Sequence, residues 1–308
     1  MHMGGNIQYR EYSNTLRDLI MKRIFGVFLA VCFFAVSAVT YAAAPVWKVT
    51  YEKNITYIGG TVHLLAAEDH PLPDAFETAY KQSASLIFET DIDAASTPEF
   101  QAKMMQAMMS KDGRTLKQTL KEDTYNKLSD YMSARGSFIA QFAQFSPSGV
   151  CLMVAMMELQ FMGQSPEWGV DVVYSRKAKL DGKKLAGLET VDEQLSFFTD
   201  MGQGDDDELV LYTLNDIDKM KSYIQELKRV WRAGDLAGID TAVSQDKDKF
   251  PQMHKALIAD RNNNWVPKIE KMIKAEGTEF ILFGAAHLSG KQGVIAQLKE
   301  RGYKLEQL

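Results

Sequence analysis

Cysteine is nearly absent. The 308 residues include two, Cys32 and Cys151, and the first lies in a segment expected to be removed. One remaining thiol excludes an intramolecular disulfide and a thiolate metal cluster. Cys151 sits in the apolar stretch Val150-Cys151-Leu152-Met153-Val154 and reads as a buried, inert thiol. Basic charge has no surplus: 35 Lys and Arg stand against 40 Asp and Glu, with no basic block. That argues against nucleic acid and anionic membranes as partners. There is no His-Glu-x-x-His, which excludes the usual zincin arrangement but not metal catalysis on other ligands. There is no Gly-x-Ser-x-Gly, which argues against an α/β serine hydrolase. The uncharged run Ile24–Val39 is 16 residues, short of the roughly 20 that span a bilayer as a helix.

That run has the setting of a leader. Lys22-Arg23 precede it and the small-residue segment Thr40-Tyr41-Ala42-Ala43-Ala44-Pro45 follows. The pattern predicts a signal peptide over about 21–44, cut near Ala43–Pro45. Cys32 lacks the small residue that a lipidation site wants just before it. Residues 1–20 are polar and read as an upstream extension. The working chain is then 45–308, periplasmic or secreted, with no stable membrane insertion after processing. Removing 1–44 leaves 31 basic and 38 acidic residues, and a length that suits one elaborated domain or two small ones.

Val46–Thr50 and Ile55–Ile58 alternate as a strand pair around a turn at Glu52-Lys53-Asn54. A helix from Leu72-Pro73-Asp74 to about Gln82 leads to a short strand, Ser85–Phe88, ending on Glu89. This is the strand-helix-strand pattern of a parallel pair. The middle, about 97–180, reads as a helical insert. Thr97-Pro98 and Ser146-Pro147 are cap-proline starts, and the second opens a Met-rich apolar helix suited to core packing. Helices are expected at Leu116–Arg135, from Trp168 to about Leu180, Ile217–Ala233, Leu236–Val243, Pro251–Asn262 and Trp265–Ala275. Lys184–Leu188 reads as a strand, followed by the capping box Thr190-Val191-Asp192-Glu193. Gln203–Asp207 reads as a solvated acidic loop without the alternation of a calcium loop. Glu279–Phe283 and Tyr303–Leu305 are the last strands, with a helix at Gly293–Arg301 between them. The expected class is α/β (α+β): a mixed central β-sheet, flanking helices and a helical insertion.

Four histidines follow the leader: His63, His70, His254 and His287. Two share a setting, Gly60-Thr61-Val62-His63 and Gly284-Ala285-Ala286-His287, each after an apolar strand. Glycine is read here as the residue that turns the backbone off the strand end. Each histidine is then held over the carboxyl end of the sheet, where open α/β sheets bind ligands. Glu89 holds the matching place after Leu86-Ile87-Phe88. Two imidazoles and a carboxylate at one edge are compatible with a divalent metal site, a general-base cluster, or histidines that merely cap loops. His70 precedes Pro71 in a loop and His254 lies on a polar helix, so both are left out.

The ordered motifs resemble the TraB/GumN (PrgY, TIKI) family. They are Tyr57-Ile58-Gly59-Gly60-Thr61-Val62-His63, Ile87-Phe88-Glu89-Thr90-Asp91, and Gly187-Leu188-Glu189-Thr190 with Glu193-Gln194. Asp260-Arg261-Asn262 and Phe283-Gly284-Ala285-Ala286-His287-Leu288 follow, then Gly290 and Gly293-Val294. The resemblance implies a fold like those of TIKI proteins, erythromycin esterases and haem-binding ChaN proteins. It implies an active site of His63, His287, Glu89 and Arg261; Glu189, after a strand and before the capping-box helix, is expected at the same edge. It implies a divalent metal (manganese, cobalt or zinc) on His63, His287 and Glu89, since the TIKI branch looks like a metal-dependent peptidase. Arg261 would stand at the rim to hold a substrate carboxylate or an oxyanion, and Asn262 would orient the site or cap a helix. The expected function is an exported metal-dependent hydrolase, a peptidase acting by metal-activated water on a peptide or small-molecule substrate. The alternative is a binding protein that sequesters a peptide, metal or haem in the same pocket. A shared site requires His63 and His287 within about 10 Å of each other, since one metal bridges no more.

Overall fold

The computed structural model describes residues 43–308, apart from 95–96, 195–204, 246 and 250. The expected leader lies outside the described residues except for Ala43 and Ala44. Ala44 is already part of the fold, buried and with its N–H donating to Leu308 O at 2.8 Å.

Six strands form one sheet. They are β1 Val46–Tyr51, β2 Asn54–Thr61, β3 Ser85–Phe88, β4 Lys184–Gly187, β5 Glu279–Gly284 and β6 Lys304–Gln307, in the order β4-β3-β5-β2-β1-β6. β1 pairs antiparallel with β2 and β6, while β4, β3, β5 and β2 run parallel. The four parallel strands therefore end on one edge of the sheet. The strand-helix-strand unit read from sequence exists as β2, α1 (Asp74–Gln82) and β3, but its strands are not neighbours. β5, almost 200 residues later, lies between them and pairs with both.

Residue alternation makes three layers. Tyr57, Leu86, Phe88, Phe280 and Leu282 face one core together with Phe76, Tyr174, Trp231 and Ile239. Trp47, Val49, Ile58, Ile87, Ile281 and Phe283 face the other with Trp265, Ile269, Val294 and Leu298. Side chains such as Leu86, Phe88, Ile281 and Phe283 contribute about 1.5–3 kcal/mol each on full burial.

The insert holds a third core of its own. α2 Pro98–Met108, α3 Leu116–Thr119, α4 Glu122–Ala134 and α5 Pro147–Phe161 supply Met108, Leu116, Leu128, Met132, Val150, Cys151 and Val154. Cys151 is buried and its thiol is pushed up to about 11 by burial. The expected helix over Leu116–Arg135 is broken in two, and the Lys121 N–H at the break donates to Asp207 Oδ1 instead. α6, Val170–Leu180, belongs with the sheet rather than the insert, since Val170, Tyr174 and Ala178 pack in the first core. α7 runs from Asp206 to Arg232. Two residues of the expected acidic loop, Asp206 and Asp207, are thus the start of this helix. Asp205 caps it by accepting from the Glu208 N–H, and Gln203 and Gly204 lie outside the described residues. α7 joins the two parts, with Val210 and Ile217 in the insert core and Val230 and Trp231 in the sheet core.

After α8, Leu236–Val243, come α9 Pro251–His254, a π-helical turn Lys255–Ala259 and α10 Asp260–Lys274 in direct succession. Sequence reasoning broke this run at Asn263-Asn264. The helix continues because Asn262 spends its side chain on other parts of the chain, so tertiary contacts override weak propensity. α11 is Val294–Glu300.

Candidate functional site

The glycines at the strand ends do not turn the chain as expected. β2 runs straight through Gly59 and Gly60, and neither they nor Gly284 has a positive φ. Their role is close approach. A Cβ on Gly59 would lie 2.8 Å from the Phe280 ring, and one on Gly60 would lie 2.3 Å from Leu288 Cδ1. A Cβ on Gly284 would meet Glu89 Oε1 and His63 Nε2, each at 3.2 Å. Gly284 is the floor of the site.

The parallel strands bring His63, Glu89, Glu189 and His287 to one edge, and Arg261 reaches them from α10. His63 Nε2 and His287 Nε2 both face Glu89 Oε1, at 3.7 and 4.0 Å. The two imidazole nitrogens are therefore within twice 4.0 Å of one another. Arg261 does not stand at the rim. It is buried, with Nη2 donating to Glu89 Oε2 at 2.5 Å and to Glu189 Oε1 at 2.7 Å. Its Nε donates to Glu189 Oε2 at 3.2 Å, and the guanidinium lies 4.5 Å over the Trp265 ring. The Gly284 N–H donates to Glu89 Oε1 at 2.7 Å, and Trp265 Nε1 donates to Glu189 Oε2 at 3.0 Å. Both oxygens of both carboxylates thus face donors.

Each histidine has its Nδ1 fixed. His287 Nδ1 donates to Asn262 Oδ1 at 2.7 Å. The orientation of that amide follows from its Nδ2, which donates to His287 O at 3.2 Å and Gln292 O at 2.8 Å. The lone pair of His287 is left on Nε2, where Arg261 Nη1 approaches at 3.2 Å. His63 Nδ1 donates to Asp171 Oδ2 at 2.7 Å. Asp171 is a site residue that sequence reasoning missed. Nothing in its local sequence marks it, since an aspartate in a first helical turn is common for dipole reasons alone.

The electrostatics follow from this layout. Burial works to raise Glu89, but Arg261 and the two histidines overcome it and hold the carboxyl at about 2. Burial raises Glu189 in spite of its bonds to Arg261. Burial lowers His287 to about 3, so it is neutral. The charge of Asp171 raises His63 to about 9 against the opposing effect of desolvation. The His63 ring is 57 % exposed, so water screens the size of that effect but not its direction.

Above this floor lies a cavity of about 410 Å³. Val62, Leu227, Val243, Leu257 and Ile258 form apolar walls, and Ile258 and Leu257 come from the π turn just before Arg261. His70 and His254 do not contribute to its lining. His70 instead bonds Trp168 O at 2.9 Å.

Among the described residues no group of three or more His, Cys, Asp or Glu side chains is gathered closely enough to hold a metal. His287 Nε2 and Glu89 Oε1 already take hydrogen bonds from Arg261 and Gly284. The spacing and the fixed Nδ1 atoms are the features that would suit a divalent cation. A first-row ion holds ligands at about 2.0–2.2 Å, which sets ligand atoms roughly 3–4 Å apart, the spacing of each Nε2 from Glu89 Oε1. Metal-binding histidines donate their other ring N–H to a carboxylate or amide oxygen, as both do here.

Comparison with known proteins gives nearly the same boundaries as the folded unit, Ala43–Leu308. The sequence profile of the TraB/PrgY/gumN family matches residues 45–307. The chain is 21 % identical over 249 residues to "Uncharacterized protein YbaP" of Shigella flexneri, covering 79 % of this chain and 88 % of that protein. It is 21 % identical over 245 residues to "Uncharacterized protein YbaP" of Escherichia coli (strain K12), covering 78 % and 86 %. No solved structure matches the chain.

Proposed function

The chain belongs to the TraB/PrgY/gumN family, and from that premise we propose that it is an exported hydrolase of peptide or similar amide bonds, using a divalent cation held by His63, His287 and Glu89. One observation carries the reading: two imidazoles with Nδ1 fixed by Asp171 and Asn262 direct Nε2 toward a single oxygen of Glu89. A cation bound there would polarise the scissile carbonyl and acidify its water.

The rest is done by the chain itself. Arg261 keeps Glu89 ionised and fixed, and Glu189 with Trp265 keeps Arg261 in place. With its guanidinium between two carboxylates, Arg261 serves the floor of the site rather than a substrate carboxylate. The walls of Val62, Leu227, Val243, Leu257 and Ile258 would accept an apolar group beside the reacting bond. His287 is neutral and buried, and its Nε2 would exchange the bond from Arg261 Nη1 for a cation, while His63 would give up its Nε2 proton. Binding without turnover is the second reading, favoured by Glu89, whose oxygens are both engaged and whose low pKa makes it a weak base.

Purified protein, freed of metal and then given manganese, cobalt or zinc, is assayed on a panel of fluorogenic peptide amides. Turnover that disappears on chelation and returns with one of these ions supports the proposal. Turnover indifferent to chelation rejects the cation, and saturable peptide binding without turnover selects the second reading.

A further inference from the structure

The loop carrying His63 is fastened along its length to a segment about a hundred residues later. The Val170 N–H donates to Val62 O at 3.1 Å. Leu65 and Ser165 exchange backbone bonds, Ser165 N to Leu65 O at 2.8 Å and Leu65 N to Ser165 O at 3.3 Å. Between these two ties, α6 begins against His63 itself. A Cβ on Gly169 would lie 2.1 Å from His63 O and 2.8 Å from its carbonyl carbon. Both are backbone atoms that cannot swing aside, so only glycine allows the approach. The next two residues are Val170, which makes the bond to Val62, and Asp171, which takes His63 Nδ1.

We propose that Gly169-Val170-Asp171 is a third working motif of this site, in which Asp171 is the positioning residue that sets the ring of His63. An aspartate serving only the helix dipole would point to solvent. This one is buried and aimed at the imidazole. As a carboxylate it can only accept, which makes Nδ1 the donor and turns Nε2 toward Glu89. The two histidines of the site are held by different means. His287 is buried against Trp265, ring centroids 4.5 Å apart, so packing restrains it together with its bond to Asn262. The His63 ring is 57 % exposed, so packing leaves it loose and the bond to Asp171 does the holding. The placement of His63 is geometry in its own right, while the consequence for a cation rests on the function proposed above.

The test compares wild type with Asp171→Ala and Asp171→Asn, after circular dichroism has shown that each is folded. Proton NMR of the metal-free protein reads the hydrogen-bonded Nδ1–H as a downfield resonance, identified by its loss in His63→Ala. Cobalt(II) titration followed by absorbance reads affinity. Asp171→Ala should lose the resonance and weaken cobalt binding by about 10–100-fold. Asp171→Asn, whose Oδ1 still accepts from Nδ1, should keep the resonance and recover most of the affinity. An Asp171→Ala protein that keeps the resonance overturns the proposal, as does an Asp171→Asn protein no better than Asp171→Ala. If wild type takes up no cobalt, the cation reading of the site fails, and the resonance alone decides the role of Asp171.

Discussion

Replacing Arg261 by Met should unfold this protein easily at neutral pH and much less selectively in acid. Methionine keeps the apolar stem over Trp265 but removes the guanidinium that serves Glu89 and Glu189. Two buried carboxylates are then left without their cation, and breaking a buried pair in this way costs about 3–5 kcal/mol. Glu89 gives an upper figure, since Arg261 shares its effect there with His63, His287 and the Gly284 N–H. Holding it at about 2 instead of an ordinary 4.5 corresponds to about 3 kcal/mol in favour of the ionised folded state. The side chain is 8 % exposed, so solvent screening takes little away. The sign is that of a depressed acid. The stabilisation is fully present above about 4.5 and is lost as pH falls toward 2. Glu189, which burial raises, contributes in the opposite direction and trims the total. In the variant both carboxylates can take up protons before they reach such low pH, so the gap to wild type should narrow in acid. Urea titrations followed by circular dichroism at pH 7 and pH 3 measure both quantities. A gap below about 1 kcal/mol at pH 7, the range of exposed pairs, would refute the reasoning. So would a gap of equal size at both pH values.

Gly60→Ala should destabilise by about 1–3 kcal/mol, because its Cβ would meet Leu288 Cδ1 at 2.3 Å and Ala285 Cα at 3.1 Å. Trimming the obstruction with Leu288→Ala in the same chain should recover part of the loss in thermal denaturation, which a glycine needed only for a turn would not allow. Cation affinity should climb with pH until His63, raised above an ordinary histidine by Asp171, has lost its proton, with about one proton released per ion below that point in paired calorimetric titrations in different buffers. Amino-terminal sequencing of exported protein should begin at Ala43 or Ala44, because Ala44 is buried and tied to Leu308 O and Gln307 Nε2. An intact Lys22–Val39 segment in membrane-bound material would contradict export by a cleaved leader.

Much of this site was legible because its strands are short, apolar and end in polar residues. Leu86-Ile87-Phe88 before Glu89, and Phe280 to Phe283 before Gly284, carry their own direction and their own edge. The capping box at Thr190 is also local, and it forms as read, with the Thr190 N–H donating to Glu193 Oε2 at 2.7 Å. What escaped is what local pattern cannot encode. The glycines at β2 and β5 were read as turn residues, but their use is set by the side chains of Phe280, Leu282 and Leu288, remote in sequence. β5 enters between β2 and β3 by long-range pairing that neither strand announces. Asp171 stands 108 residues from His63, in a helical turn where aspartate is ordinary. The asparagines at 262–264 signal a break by propensity. They remain helical because Asn262 bonds His287 and Gln292 across the site. Arg261 was expected at the rim because a long side chain arriving from a helix has to lean over the sheet edge to reach the pocket. Two buried carboxylates draw it inward.

The central claim is that His63, His287 and Glu89 form one cation site, and anomalous diffraction tests it most directly. Crystals soaked in zinc or manganese should show a single strong peak between the two histidine Nε2 atoms and Glu89 Oε1, about 2.0–2.2 Å from each donor. The peak should vanish in His287→Ala crystals grown and soaked alike. A map with no peak there at saturating metal, or one whose peak survives the loss of His287, would contradict the account.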